Sequence, residues 1–169
     1  WCGSGWTGQP AVFERDGRTW VVFGAYDKAV HFMDGETGED ILPPLPTGDI
    51  IKGSVTVDPD GYPLVYSGSR DSYYHVIAID RGPVAQELWK LSATAVSPTL
   101  WNNDWDGAGI VADDFLFEGG ENSQFHVVKL NRGYDAAGKV TVDPELVFNT
   151  PSWDQQLIND LAGNRAKEF

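Results

Sequence analysis

Six residues, Asn102-Asn-Asp-Trp-Asp-Gly107, carry the most specific chemistry in the chain. Oxygen-bearing side chains at the first, third and fifth places of a tight turn, with Gly at the sixth, match the start of a calcium-binding loop. Alternate side chains on such a turn point inward, and Ca2+ takes about six to eight oxygens. The motif expects a bidentate Glu at its twelfth place, where this chain has the shorter Asp113, and its ninth is Ile110, which offers no side-chain oxygen. Asn102, Asp104, Asp106 and Asp113 are therefore the candidate calcium ligands. The same stretch also reads as an Asx-rich strand turn, in the place that Asp58-Pro-Asp-Gly61 takes earlier in the chain.

His75 and His126 suggest a metal pair or an acid–base pair. They occupy the same place in two copies of one phrase, however, so they fall on neighbouring units in equivalent surroundings. That favours packing or hydrogen bonding on a strand. His31 is read in a different register. Asp113-Asp114 and Glu118 with Glu121 supply paired carboxylates, yet nothing in their spacing sets the roughly 5–9 Å separation that glycoside chemistry needs. There is no Ser-His-Asp order, no phosphate-cradling Gly loop and no CxxC, so no catalytic residue is named. Asp27, Asp71 and Asn122 each follow a Gly by three residues, where an Asx side chain can accept from its own backbone two residues on. Arg81 and Arg132, each before a Gly, are read as surface partners of carboxylates such as Asp80, contributing little.

The elements that position these residues come from repetition. Gly68-Ser-Arg-Asp-Ser-Tyr-Tyr-His-Val-Ile-Ala-Ile-Asp-Arg-Gly82 returns as Gly119-Gly-Glu-Asn-Ser-Gln-Phe-His-Val-Val-Lys-Leu-Asn-Arg-Gly133. A looser copy runs from Phe23 to Gly35 and reads as having a hairpin two residues shorter. Short apolar runs bounded by turn residues predict strands at Pro10–Glu14, Thr19–Phe23, Ala29–Met33 and Asp40–Leu42, the last stopping before Pro43-Pro-Leu-Pro46. A second cycle predicts Gly53–Val57, Pro63–Tyr66, Tyr74–Ile79 and Ala85–Trp89. A third takes in Ser97–Trp101, Gly109–Ala112, Asp114–Phe117, Phe125–Leu130 and Glu145–Phe148, with an insertion at Tyr134–Asp143. The turn glycines Gly17, Gly61 and Gly107 lie 44 and 46 residues apart, the spacing of four-stranded propeller blades. Blades are expected at about 6–46, 50–92 and 96–150. Ser152 with Gln155 makes a capping box, and Leu157, Ile158 and Leu161 form an apolar stripe, predicting a helix over Trp153–Ala162 in a helical inter-blade segment, 151–169.

Seven Trp, eight Phe and six Tyr are ample material for a packed core. A formal charge of −13 disfavours nucleic acid and anionic lipid as partners. No run approaches the roughly 20 apolar residues of a membrane helix. The single Cys2 has no partner within the chain for a disulfide. The chain begins at Trp1 rather than Met and reads as an excerpt of a longer polypeptide. Trp20, Trp89, Trp101 and Trp105 are expected to pack between blades, and Trp105, set among polar residues, to be the exposed one.

These residues resemble the propellers built from pyrroloquinoline-quinone (PQQ) type repeats. Gly24-Ala-Tyr-Asp27 with Asp34-Gly-Glu-Thr-Gly-Glu39 matches one repeat; Gly68-Ser-Arg-Asp71, Ile77-Ala-Ile-Asp80 and Trp89 match a second. The third departs, with Phe148 where the docking Trp would stand. The resemblance implies an all-β, partial propeller, extracellular or periplasmic, whose remaining blades or a protein partner complete it. The family includes quinone-dependent alcohol and sugar dehydrogenases and cofactor-free scaffolds. The dehydrogenases typically carry an adjacent Cys-Cys pair, which this segment lacks, so PQQ is not expected here and Ca2+ is the one cofactor considered. A non-catalytic binding or scaffolding module is the expected function. The alternatives are a piece of a PQQ-dependent dehydrogenase and a calcium-stiffened surface protein that binds polysaccharide.

Overall fold

The computed structural model describes residue 5 and residues 7–161, and the fold is all-β with one short helix. Cys2 lies outside the described residues. The first antiparallel sheet is β1 (Ala11–Arg15), β2 (Arg18–Gly24), β3 (Ala29–Asp34) and β4 (Asp40–Pro46), in that order. The second is β5 (Thr56–Val57), β6 (Leu64–Gly68), β7 (Tyr73–Ala78) and β8 (Gln86–Ser92). The third begins with β9 (Ile110–Ala112), β10 (Phe115–Gly119) and β11 (Gln124–Lys129). A two-stranded ribbon, β12 (Gly133–Tyr134) and β13 (Val140–Thr141), is inserted before its outer strand, β14 (Glu145–Pro151). The described residues form no closed ring, and no helix among them is long and apolar enough to cross a membrane.

Local chemistry sets the hairpins. Asp16 and Gly17 both have positive φ, so Arg15 and Arg18 are joined by a two-residue turn whose twist suits paired strands. Asp113 and Asp114 do the same between β9 and β10 without a glycine. The Asp114 carboxylate holds that turn by accepting from the backbone N–H groups of Asn131 and Arg132, at 3.1 and 3.2 Å.

Several expectations are corrected. The turn of the third sheet is Asp113-Asp114, so Gly107 is not the counterpart of Gly17 and Gly61. β4 runs on through Pro43, Pro44 and Pro46, because it is an edge strand whose pairing with β3 is already interrupted by register shifts. Residues 97–101 form no strand. The helix spans Gln155–Leu161, and Asp154 rather than Ser152 stands at its start, its carbonyl accepting from Ile158 at 3.0 Å; Ala162 lies outside the described residues. The three central hairpins are equal in length. Gly24 pairs with Val30, Gly68 with Tyr74 and Gly119 with Phe125, which puts His31, His75 and His126 in one register.

The shared register explains how the sheets stack. On the face that looks toward the following sheet, Val22–Phe32–Leu42 and Tyr66–Val76–Trp89 are matching cross-strand rows. On the opposite face the matching rows are Val12–Val21–Met33, Val57–Val65–Ile77 and Val111–Leu116–Val128. Val22, Phe32 and Leu42 share one buried cluster with Val65 and Ile77. Tyr66 and Val76 share another with Val111, Leu116 and Val128. The second sheet is thus buried on both faces, which is why its central strands are buried almost residue for residue instead of alternating.

A glycine sits at each dock. A β-carbon at Gly24 would overlap the Ile51 side chain, and one at Gly68 would overlap the backbone of Trp105. The same two partners donate their backbone N–H one residue further along the hairpin, Ile51 to the Ala25 carbonyl at 3.1 Å and Trp105 to Ser69 at 3.2 Å. Gly119, the third of the set, has open space in the β-carbon direction.

Candidate functional site

The loop at Asn102–Gly107 carries the second and third sheets together at their hairpin end. Arg70, on the β6–β7 hairpin, donates through Nε to Asp104 Oδ2, and Asn102 Nδ2 reaches the same oxygen at 2.8 Å and Glu121 Oε2 at 3.2 Å. Lys52 Nζ lies 3.5 Å from Asp106 Oδ2. Hydrogen bonding to Asp104, with the charges of Asp104, Asp106 and Glu121, holds the Arg70 guanidinium firmly protonated. Burial, reinforced by the charges of Asp106 and Asp104, pushes the Glu121 carboxyl up. Of the four candidate calcium ligands, three belong to this network, and two of those are paired with cations that Ca2+ would have to displace. Asp113 stands in the β9–β10 turn, and no hydrogen bond or ion pair joins it to the others. Among the described residues no group of three or more His, Cys, Asp and Glu is placed to hold a metal ion. As folded, the donor set does not fit the oxygen shell of Ca2+.

The stretch replaces the loop that leads into the second sheet, not a strand turn. Trp105 and Gly107 correspond to Ile51 and Gly53: a β-carbon at Gly53 would overlap the Gly107 carbonyl. Trp105 is therefore fully buried against Gly68 and Tyr74, whereas Trp101 is 73% exposed, the reverse of the expectation from its polar neighbours.

Beneath this loop lies a buried polar cluster. Glu118 on β10 and His126 on β11 are direct cross-strand partners, and both face the second sheet. Glu118 is 3% exposed and His126 has no exposure. Glu118 Oε1, both ring nitrogens of His126 and Trp105 Nε1 have no hydrogen-bond partner of normal geometry. The Trp105 and His126 rings lie 5.1 Å apart. Gly107 and Gly109 close over the carboxylate, and the Tyr74 hydroxyl accepts from Gly109 N–H at 3.1 Å. Burial pushes the Glu118 carboxyl up to about 8, so it holds a proton at neutral pH. Burial lowers the His126 imidazole, with the Glu118 backbone opposing weakly. An uncharged carboxyl beside an uncharged imidazole can store or pass a proton, but both are enclosed.

The three equivalent histidines differ in partner. His31 Nε2 meets Asp27 Oδ2 at 2.9 Å. His75 lies between Asp71, at 3.3 Å, and Glu87. Burial alone would lower its pKa, but hydrogen bonds to those two carboxylates outweigh it and raise it. For Asp71, burial works upward and is outweighed by bonds from His75, Gly48 and Tyr73, which bring it to about 2. In the third copy the neutral amide Asn122 takes the place of the acid, and its Oδ1 accepts from Gln124 N–H at 3.0 Å, as Asp71 accepts from Tyr73. That loss of an acid leaves His126 without a counterion.

Arg132 is the residue whose importance the sequence reading understated. It is a buried clamp rather than a surface partner: its side chain is 4% exposed and reaches Asp58 at 2.6 Å, Asp60 at 2.8 Å and Asp114 at 2.9 Å. Its guanidinium also lies 4.8 Å from the centre of the Tyr62 ring. Arg81, its counterpart, donates to the Val140 carbonyl, and Asp80 accepts from Val140 N–H at 2.7 Å, so the inserted ribbon is fastened back to the second sheet. At the hairpin end, Tyr26, Lys28, Asp49, Ile50 and Arg70 line a cavity of about 310 Å3. Its two cations are already paired, Lys28 with Asp49 at 3.1 Å and Arg70 with Asp104. No protein-family model matches the chain, and no curated protein matches it.

Proposed function

We propose that the three sheets are successive blades of a propeller of PQQ-type repeats, and that this part of the protein is an exported binding or scaffolding module with no catalysis of its own. The observation that carries the reading is the repeated dock: Gly24 against Ile51 and Gly68 against Trp105, each with its backbone hydrogen bond, in sheets of one register. A repeat whose most constrained positions serve neighbour-to-neighbour contact is what a quasi-one-dimensional stack requires.

Two features favour binding over catalysis. The neighbouring carboxyl and imidazole of Glu118 and His126 are both buried, Glu118 under Gly107 and Gly109 and His126 against Trp105. The cavity at the hairpin end does not suit PQQ, a polycarboxylate, because Lys28 and Arg70 already serve Asp49 and Asp104. The test is dye-linked oxidation of primary alcohols and sugars by the protein supplied with PQQ and Ca2+. The reading predicts no turnover above the cofactor alone, and turnover that tracks protein concentration would overturn it.

A further inference from the structure

The enclosed cluster of Glu118, His126 and Trp105 holds polar atoms that the chain's own groups leave unserved. Glu118 and His126 are cross-strand partners, yet neither ring nitrogen of His126 bonds the Glu118 carboxyl; Glu118 Oε1 and Trp105 Nε1 are likewise without a partner of normal geometry. Buried polar groups are nearly always hydrogen-bonded, to protein or to ordered water. The nearby amides are committed elsewhere. Asn122 donates to the Ala93 carbonyl at 2.6 Å and accepts from Gln124, and Asn149, opposite His126 on β14, donates to Gln124 Oε1 at 3.2 Å. His31 and His75, by contrast, each meet a carboxylate.

Hydrogen-bond sense, charge and size decide what fits there. Trp105 Nε1 only donates, a neutral imidazole donates at one nitrogen and accepts at the other, and a protonated carboxyl does both. A cation would face the indole and imidazole N–H groups, and an anion would find no positive charge among these residues. The occupant must also be small, since β-carbons at Gly107 and Gly109 would stand 2.4 and 2.9 Å from the Glu118 oxygens and neither Trp105 nor His126 has any exposure. We propose that this cluster is a built site for internal water: one molecule bridges the Glu118 carboxyl to His126, a second serves the opposite ring nitrogen, and the Trp105 N–H donates to one of the pair. Two are needed because the ring nitrogens point away from each other. Each water takes the place of a protein partner, as bridging waters do where two polar groups stand beyond direct reach.

The test is water–protein cross-relaxation at the Trp105 indole N–H in solution, together with a high-resolution crystal structure of the same protein. The indole proton should show a direct contact with long-lived water, and two density peaks should lie about 2.7–3.2 Å from Glu118 Oε1 and the His126 nitrogens. Glu118→Leu combined with His126→Leu should lose the indole contact, because an apolar lining stays dry. A wild-type indole N–H without water, a direct Glu118–His126 hydrogen bond in the crystal, or a peak with a metal's anomalous scattering overturns the proposal, and so does a water contact that survives the double substitution. The wild-type measurements decide the matter even where the double variant fails to fold.

Discussion

Replacing Arg132 by Met is expected to cost about 3–5 kcal/mol of folding stability, the cost of removing one partner from a buried ion pair. The reason is Asp58, whose side chain has no exposure. Its carboxylate also accepts from the Tyr66 hydroxyl at 2.7 Å and from the backbone of Asp60 at 3.0 Å, so it cannot turn outward without dismantling the turn before β6. With Arg132 gone, that charge is left in the dry junction between the second and third sheets. Arg132→Lys should recover only part of the loss, because an ammonium cannot span three carboxylates as the planar fork does. Denaturant melts check both values. Adding Asp58→Asn to Arg132→Met should restore part of the lost stability, since it removes the stranded charge. A loss below about 1 kcal/mol for Arg132→Met would show the clamp to be ornamental.

Glu118→Gln should have the opposite sign at alkaline pH. Unfolded, Glu118 releases its proton near 4.5; folded, it keeps the proton to about 8. The folded state therefore binds more protons through that interval. Its favourable contribution is complete below about 4.5 and is lost as pH rises through about 8. At about 1.4 kcal/mol per unit, the loss is roughly 3–5 kcal/mol. Gln keeps the shape and cannot ionise. Compared by melts at about pH 5 and about pH 8.5, the variant should match the wild type in acid and exceed it in base. His126 contributes with the other slope: its lowered pKa favours folding above about 6.5, a benefit lost as pH falls. The difference between Glu118→Gln and wild type isolates the carboxyl from that background. A difference that does not change with pH would mean that Glu118 is ionised in the folded protein.

Much of the fold was legible because strands and turns are local. Arg15-Asp-Gly-Arg18 specifies its hairpin alone, and the fifteen-residue phrase announces a repeat. Errors arose where tertiary contact overrides local character. Trp105, among Asn103, Asp104 and Asp106, looks solvent-facing, yet docking on Gly68 buries it. Counting from Gly107 as a turn misaligned the third cycle; the spacing Ile51-x-Gly53 and Trp105-x-Gly107, with Gly8 in the same glycine series, was present in the chain and carries the correct alignment. His31 follows Gly24 by the same seven residues that separate His75 from Gly68 and His126 from Gly119. Glu118 was also readable, since it shares strand parity with Leu116 and so faces the core. The Arg132 clamp was not, because its partners Asp58 and Asp60 lie more than 70 residues away and only folding brings them together.

The central claim is that one docking contact is repeated from sheet to sheet. It is tested most directly by unfolding melts of Gly24→Ala, Gly68→Ala and Gly119→Ala, at a protein concentration where the chain is monomeric. Overpacking at Gly24 and Gly68 should each cost about 1–3 kcal/mol, while Gly119→Ala should stay within about 0.5 kcal/mol of wild type. Equal losses at all three, or no loss at Gly24 and Gly68, would contradict the account.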